Sequence, residues 1–155
     1  LHDAMGNCLE HQDYLIKPEG FNIPYDAEKI HGISTQLAKK IGVDISFVLN
    51  KFQEDLKKSQ FMCGHNLNFD EKILGAEYLR SDGNNPLQDF PKIDTCTEET
   101  AGICMLKGGR GRKFKLPTLM ELYTHLFNKK FESAHNASAD VEATALCLFK
   151  LLKDE

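Results

Sequence analysis

The chain has 155 residues, 41% of them hydrophobic and 27% charged, and a formal net charge of −4 at pH 7. This balance is typical of a soluble globular protein, and the length predicts a single domain over residues 1–155. The negative charge argues against a protein that coats DNA, although it allows an enzyme that binds nucleic acid through one local patch. We expect no membrane association, because no apolar run approaches the length of a membrane span.

The cysteine pattern predicts reduced thiols. No two cysteines form a C-x-x-C pair, one is left over from any pairing, and four lie within apolar stretches. We therefore expect buried free thiols in a cytoplasmic protein, with neither a disulfide framework nor a zinc site. The five residues are Cys8, Cys63, Cys96, Cys104 and Cys147.

Residues 1–18 predict a β-hairpin. An apolar start leads into a turn at Gly6 and Asn7, and the alternating run that follows ends at Pro18. The chain begins with Leu1 rather than methionine. We therefore expect it to be a fragment of a longer protein or a processed form.

Three helices are expected next. Gly32 ends a short helix that begins near Tyr25, and Ser34 caps a second one that ends at Gly42. Asp44 begins a third helix with an apolar stripe along one face. The stripe consists of Ile45, Val48, Leu49, Phe52 and Leu56.

Two short apolar segments, “QFMCGH” and “KIDTC”, predict buried strands. The first leads into a helix that opens near Asn66 or Asn68, and the second into a helix from Thr97 to about Leu106. Helices are also expected in “PTLMELYTHLF” and in the C-terminal segment that opens at Asp140. A hairpin followed by alternating strands and helices predicts an α/β domain with a mixed β-sheet flanked by helices.

Three polar motifs carry candidate chemistry: “HGIS” at 31–34, “GHNLNFD” at 64–70 and “HNASAD” at 135–140. Asp70 and Asp140 each lie in the first turn of an expected helix, where a carboxylate also complements the helix dipole. Five residues correspond to about 140° of helical rotation, so His135 is expected on the loop before the helix rather than on the face of Asp140. A loop histidine beside metal-binding carboxylates suits a general base, since its pKa lies near neutrality.

The segments “GHNLNFD”, “HNASADVEAT” and “IHGIS” resemble motifs of the DEDDh 3′–5′ exonucleases, proofreading and RNA-trimming enzymes with a ribonuclease H-like fold. The bacterial proofreading exonucleases of the replicative polymerase are the most similar branch. The resemblance runs from Ile30 to the C-terminus and includes “IDT” at 93–95 and “KLPTLMELY” at 115–123. The N-x-x-F-D and H-x-x-x-x-D motifs, in this order and about 65 residues apart, are far more specific together than either is alone.

This resemblance implies hydrolysis at the 3′ end of single-stranded DNA with two Mg²⁺ or Mn²⁺ ions roughly 4 Å apart. By this resemblance, Asp140 ligates the ion that holds the attacking water, and Asp70 ligates the second ion. His135 acts as the general base that deprotonates this water. Oxygen ligands suit these cations rather than zinc. A DNA polymerase subunit is the implied partner.

Substrate contacts are expected at two of the motifs. His31, Gly32 and Ile33 match the family element that packs against the terminal nucleotide, although the first two also suit a helix C-cap. His65 and Asn66 border Asp70 and are expected near sugar or phosphate, with a helix cap as the alternative for Asn66. Phe69 is expected in the core. The basic loop 107–115 is equally consistent with a phosphate-contacting arm and with a solvated loop.

The D-x-E motif of the family, which supplies a bridging aspartate and a glutamate from a strand, has no counterpart on an expected strand. The pairs Asp26/Glu28 and Asp140/Glu142 have the right spacing but fall on expected helices, where residues two apart point in different directions. We therefore expect the motif strand to lie upstream of Leu1, which would leave these residues weakly active or inactive and a sheet edge exposed.

Three alternatives are compatible with the residues. One is a non-catalytic exonuclease-like module that docks on nucleic acid or a polymerase, and the second is a 3′–5′ exoribonuclease that trims RNA. The third, a flavodoxin-like domain, is disfavoured because no glycine-rich phosphate loop follows a strand.

Overall fold

Two short parallel strands form the sheet in the computed structural model, which describes residues 1–108, 111, 113–134 and 136–154. Strand β1 (Met62–Gly64) pairs with β2 (Lys92–Asp94), and Gly64 lies opposite Asp94. Both lie where the apolar segments predict strands. Their parallel direction places both carboxyl ends at the same edge of the sheet.

Helices surround the two strands, and their ends follow the local capping residues. The side chain of Ser34 accepts a hydrogen bond from the N–H of Leu37, and Gly32 ends the first helix with a left-handed backbone (φ 74°). Thr97 and Thr118 each form a capping box. The helices of the described residues are α1 (Tyr25–His31), α2 (Thr35–Ile41), α3 (Ile45–Lys58), α4 (Leu67–Asp82), α5 (Glu98–Cys104), α6 (Leu119–Phe127) and α7 (Ala137–Asp154).

Two apolar clusters form the core. The first joins α3 and α4 to β1 through buried side chains of Leu49, Leu56, Met62, Leu67, Tyr78 and Leu87. The second joins α5, α6 and α7 through Cys104, Leu122, Tyr123, Ala143 and Cys147. Strand β1 packs against α4 of the first cluster and α7 of the second. It is therefore the element through which the two halves of the core meet.

The expected N-terminal hairpin is reduced to one antiparallel bridge between His2 and Cys8. The carboxylate of Asp3 accepts hydrogen bonds from the N–H groups of Met5 and Asn7, each at 2.9 Å. These hydrogen bonds fold residues 3–7 into a local turn, as is common for aspartate. Asp3 thus holds the expected turn, while the strand pairing next to it is limited to the His2–Cys8 bridge.

The sheet is consequently smaller than the mixed sheet expected from the sequence. Within the described residues, β1 has a strand partner on only one of its edges. Phe61, which precedes β1, is 56% exposed. In the same part of the chain, no helix is both long enough and apolar enough to cross a membrane.

All five cysteines are free, as the sequence predicts. Cys104 and Cys147 are buried and Cys63 and Cys96 are half-buried, whereas Cys8 is exposed, contrary to the expectation of burial. Cys8 lies in the N-terminal segment, where its single bridge to His2 leaves the side chain exposed.

Candidate functional site

Asp70 lies in the first turn of α4, where the sequence places it. Its side chain is exposed, and α4 packs against β1. The adjacent Phe69, expected in the core, is instead 61% exposed. Two residues correspond to about 200° of helical rotation, so Phe69 faces away from the side on which Leu67 is buried.

Asp140 lies in the first turn of α7, which also packs against β1, and is half-buried. The side-chain oxygen of Asn136 accepts a hydrogen bond from the N–H of Ala139 at 3.2 Å. The main-chain carbonyl of Asn136 accepts one from the N–H of Asp140 at 3.0 Å. Asn136 therefore performs the N-cap function that fixes the first turn of α7. His135, the expected general base, lies outside the described residues.

A third carboxylate, Asp94, lies at the carboxyl end of β2 beside the start of α4. It accepts backbone hydrogen bonds from Asn66, Leu67 and Cys96 at 2.8–2.9 Å. The sequence pattern assigns Asp94 no role, although “KIDTC” predicts a strand and “IDT” at 93–95 belongs to the family resemblance. The available signal was an acidic residue at the end of a parallel strand that neighbours the strand feeding α4, since such ends meet at one edge of the sheet.

The environment of Asp70, including the charge of Asp94, disfavours its ionised form. Desolvation raises the pKa of Asp70, the negative charge of Asp94 raises it further, and a backbone hydrogen bond opposes the rise. A nearby cation would relieve this repulsion. Burial, with a contribution from Asp94, also raises the pKa of Cys63 to about 11, so this thiol is protonated near neutral pH and unsuited to act as a nucleophile.

His65 is held by both of its ring nitrogens. Nδ1 lies 2.9 Å from the hydroxyl of Thr95, and Nε2 lies 2.9 Å from the carbonyl oxygen of Pro117. Because a carbonyl only accepts, Nε2 carries a proton, and in the neutral ring Nδ1 accepts from Thr95. His65 therefore ties the turn between β1 and α4 to the segment before α6. A substrate contact through its nitrogens requires one of these bonds to break.

The stability of the protein should fall in mild acid because of His65. Desolvation lowers its pKa below the ordinary value of 6.5, against smaller opposing effects of Pro117 and Asp94. The unfolded chain then binds a proton at His65 before the folded chain does, so stability is complete above pH 6.5 and is lost as the pH falls through the lower folded pKa. Urea unfolding of the wild type and of His65→Gln across this range is the measurement. The variant should show a flatter pH dependence.

The exposed residue His125 provides the matched control for this experiment. His125→Gln should keep the wild-type pH dependence. An unchanged slope in His65→Gln would show that His65 is not a source of the acid sensitivity.

The “HGIS” motif forms the end of α1. Gly32 donates its N–H to the carbonyl of Glu28 at 2.7 Å, and Ile33 donates its N–H to Nδ1 of His31 at 3.0 Å. The helix C-cap expected for this motif is thus confirmed. The closely packed helix and strand pairs of the described residues do not include α1. The nucleotide contact of His31, Gly32 and Ile33 stays a prediction.

The basic loop 107–115 is closed at its base by an antiparallel bridge between Lys107 and Phe114. Lys113 lies over the ring of Phe114, with 5.1 Å between Nζ and the ring centroid. Lys115 pairs with Glu121 at 2.6 Å. Gly109, Arg110 and Arg112 of this loop lie outside the described residues.

The donor chemistry of Asp70 and Asp140 fits a hard dication, but their number does not complete a centre. Within the part of the chain that the structure describes, no three histidine, cysteine, aspartate or glutamate side chains cluster closely enough to hold a metal ion. Asp26/Glu28 and Asp140/Glu142 lie on α1 and α7, as expected, so neither pair replaces a strand-borne D-x-E motif.

Comparison with known proteins identifies one family. A sequence model of the family described as “Exonuclease” matches residues 5–148, nearly the whole chain. A search of curated proteins found no match. The family match implies an α/β fold of the ribonuclease H type, and the parallel strand pair with its surrounding helices is consistent with that fold.

Proposed function

Since the chain belongs to the exonuclease family, we propose that it is a 3′–5′ exonuclease of the DEDDh type that acts on the 3′ end of DNA. We further propose a proofreading role beside a bacterial replicative DNA polymerase in the cytoplasm. Family membership itself gives the substrate class, which is nucleic acid. The observation that supports the finer proposal most is the placement of Asp70 and Asp140 in the first turns of two helices that both pack against β1.

In this proposal Asp70 and Asp140 supply oxygen ligands for dications. Two bound Mg²⁺ or Mn²⁺ ions would lower the pKa of the attacking water and neutralise charge on the departing 3′ oxygen. Capping by Asn136 fixes the helix turn from which Asp140 projects. His135 precedes this cap by one residue in the sequence and accepts the proton of the attacking water, a role that suits histidine because the unperturbed pKa of an imidazole lies near neutrality.

Two aspartates are too few to hold two closely spaced dications, which repel one another. We propose that further carboxylates of the D-x-E type complete the centre. Residues 1–155 by themselves should then bind divalent ions weakly and hydrolyse DNA slowly or not at all.

The substrate lies, in this proposal, across the edge of the sheet where α4 begins. The side chain of Asn66 makes no capping hydrogen bond and is exposed, so its amide suits a sugar or phosphate contact. His65 borders the same edge, and its two ring nitrogens bind the hydroxyl of Thr95 and the carbonyl oxygen of Pro117. The “HGIS” residues His31, Gly32 and Ile33 pack against the terminal nucleotide.

The direction of degradation and the choice of nucleic acid can be tested together. The protein expressed from its complete reading frame is incubated with single-stranded DNA or RNA labelled at the 5′ end, in Mg²⁺ or Mn²⁺. A 3′–5′ exonuclease shortens the 5′-labelled strand one nucleotide at a time, and the proposal predicts faster shortening of DNA. Release of the 5′ label as a mononucleotide would contradict the 3′–5′ direction, and faster degradation of RNA would favour the exoribonuclease alternative.

A non-catalytic docking module is the second candidate, favoured by the absence of a three-ligand cluster among the described residues. Such a module binds single-stranded DNA without degrading it. Binding measured by fluorescence anisotropy, together with no shortening of the strand in the same sample, would support this candidate.

A further inference from the structure

Asp94 fixes the start of α4 with three backbone hydrogen bonds. Its Oδ1 accepts from the N–H of Asn66 at 2.9 Å and from the N–H of Cys96 at 2.8 Å. Its Oδ2 accepts from the N–H of Leu67 at 2.9 Å. Bonds in which the acceptor is ionised are stronger than neutral ones. Both oxygens of this carboxylate are therefore committed to backbone donors.

The residue at the N-cap position of α4 does not cap the helix itself. Asn66 has a left-handed backbone (φ 63°, ψ 45°), and its side chain makes no capping hydrogen bond. In most helices the side chain at this position accepts from a backbone N–H in the first turn. Here that acceptor comes from Asp94, 28 residues further along the chain. The start of α4 is thus held by the neighbouring strand.

We infer that Asp94 is a positioning residue that sets the direction of the Asp70 carboxylate. This inference rests on the proposed function, in which Asp70 holds a dication. Asp70 follows Leu67 by three residues, which is less than one helical turn, so the start of the helix determines where its side chain points.

The geometry distinguishes Asp94 from a metal ligand. A carboxylate whose two oxygens accept three N–H bonds has little capacity left for a cation, whereas Asp70 is exposed. By taking over the cap, Asp94 also leaves the amide of Asn66 available to the substrate. Asp94 therefore acts through Asp70 and Asn66, without contacting the reacting atoms.

The inference is tested by Mn²⁺ binding, measured by electron paramagnetic resonance, well below the unfolding temperature of every variant. Asp94→Ala should weaken Mn²⁺ binding about 10-fold or more, as is typical when a partner that orients a metal ligand is removed. Asp94→Asn keeps Oδ1 as the acceptor for two of the three N–H groups. Its affinity should therefore lie between those of the wild type and Asp94→Ala.

Thr118→Ala is the matched control, because it removes the cap of α6 and so destabilises a helix that carries no proposed ligand. It should lower stability and leave the Mn²⁺ affinity unchanged. An equal loss of affinity in Thr118→Ala and Asp94→Ala would show that Asp94 acts only through stability, and would overturn the inference.

Asp70→Asn separates this inference from the proposed function. If Asp70→Asn weakens Mn²⁺ binding and neither Asp94 variant does, the positioning role is wrong while the proposed site stands. If Asp70→Asn has no effect, the assignment of Asp70 as a ligand is itself wrong, and the inference falls with it.

Hydrogen exchange of the wild type tests the geometry even if a variant fails to fold. The amides of Asn66 and Leu67 lie before the first intrahelical bond, and they should exchange slowly because Asp94 accepts from both. Exchange as fast as in exposed loops would overturn the inference.

Discussion

Asp140→Asn should lower the rate of 3′-end hydrolysis by about 10³-fold at saturating DNA, since a lost metal ligand removes several kcal/mol of charge stabilisation in the transition state. The amide oxygen remains a weak ligand without charge. The N-cap of α7 is formed by Asn136 and is retained, so the fold should be little affected. The measurement is a single-turnover rate on 5′-labelled single-stranded DNA, with the protein expressed from its complete reading frame.

Asp26→Asn is the matched control for this experiment. Like Asp140, Asp26 lies in the first turn of a helix, here α1, so the variant also loses the interaction of a carboxylate with a helix dipole; unlike Asp140, Asp26 is exposed. Its rate should equal that of the wild type. A wild-type rate in Asp140→Asn would remove Asp140 from the proposed site.

His135→Ala should lower the same rate by about 10²–10⁴-fold, the usual contribution of a general base. The loss should be smaller at high pH, where hydroxide replaces the missing base. Affinity for DNA, measured by anisotropy without divalent ions, should change little because His135 acts on the water rather than on the strand. His125→Ala, at an exposed histidine of α6, is the control and should leave the rate unchanged.

A selective loss of DNA affinity in His135→Ala, with the saturated rate preserved, would contradict the role of base. It would favour a substrate contact for this histidine instead.

The helix ends could be predicted from sequence because their causes are local. Ser34 caps α2 through an N–H three residues away, and Gly32 ends α1 through a carbonyl four residues back. Such contacts depend on residue type and spacing alone. The position of Asp140 in the first turn of α7 likewise depends on a local contact, the cap formed by Asn136.

The start of α4 could not be predicted in the same way. The sequence points to Asn66 as the cap, but the acceptor is Asp94, and the contact exists only because β1 and β2 pair with Gly64 opposite Asp94. Strand register is a tertiary property that no local pattern contains. The N-terminal hairpin is limited for a different reason, since Asp3 folds the amides of Met5 and Asn7 into a local turn and only His2 and Cys8 pair beside it.

The most direct test of the account is whether one dication site is shared by the first turns of α4 and α7. Mn²⁺ broadens the amide signals of nearby residues, so a titration of the ¹⁵N-labelled 155-residue chain locates the ion even when binding is weak. We expect the signals of residues around Asp70 and around Asp140 to broaden together at the same Mn²⁺ concentration, and Asp140→Asn to reduce both effects. Broadening at only one of these turns, or scattered over the acidic residues of the surface, would contradict it.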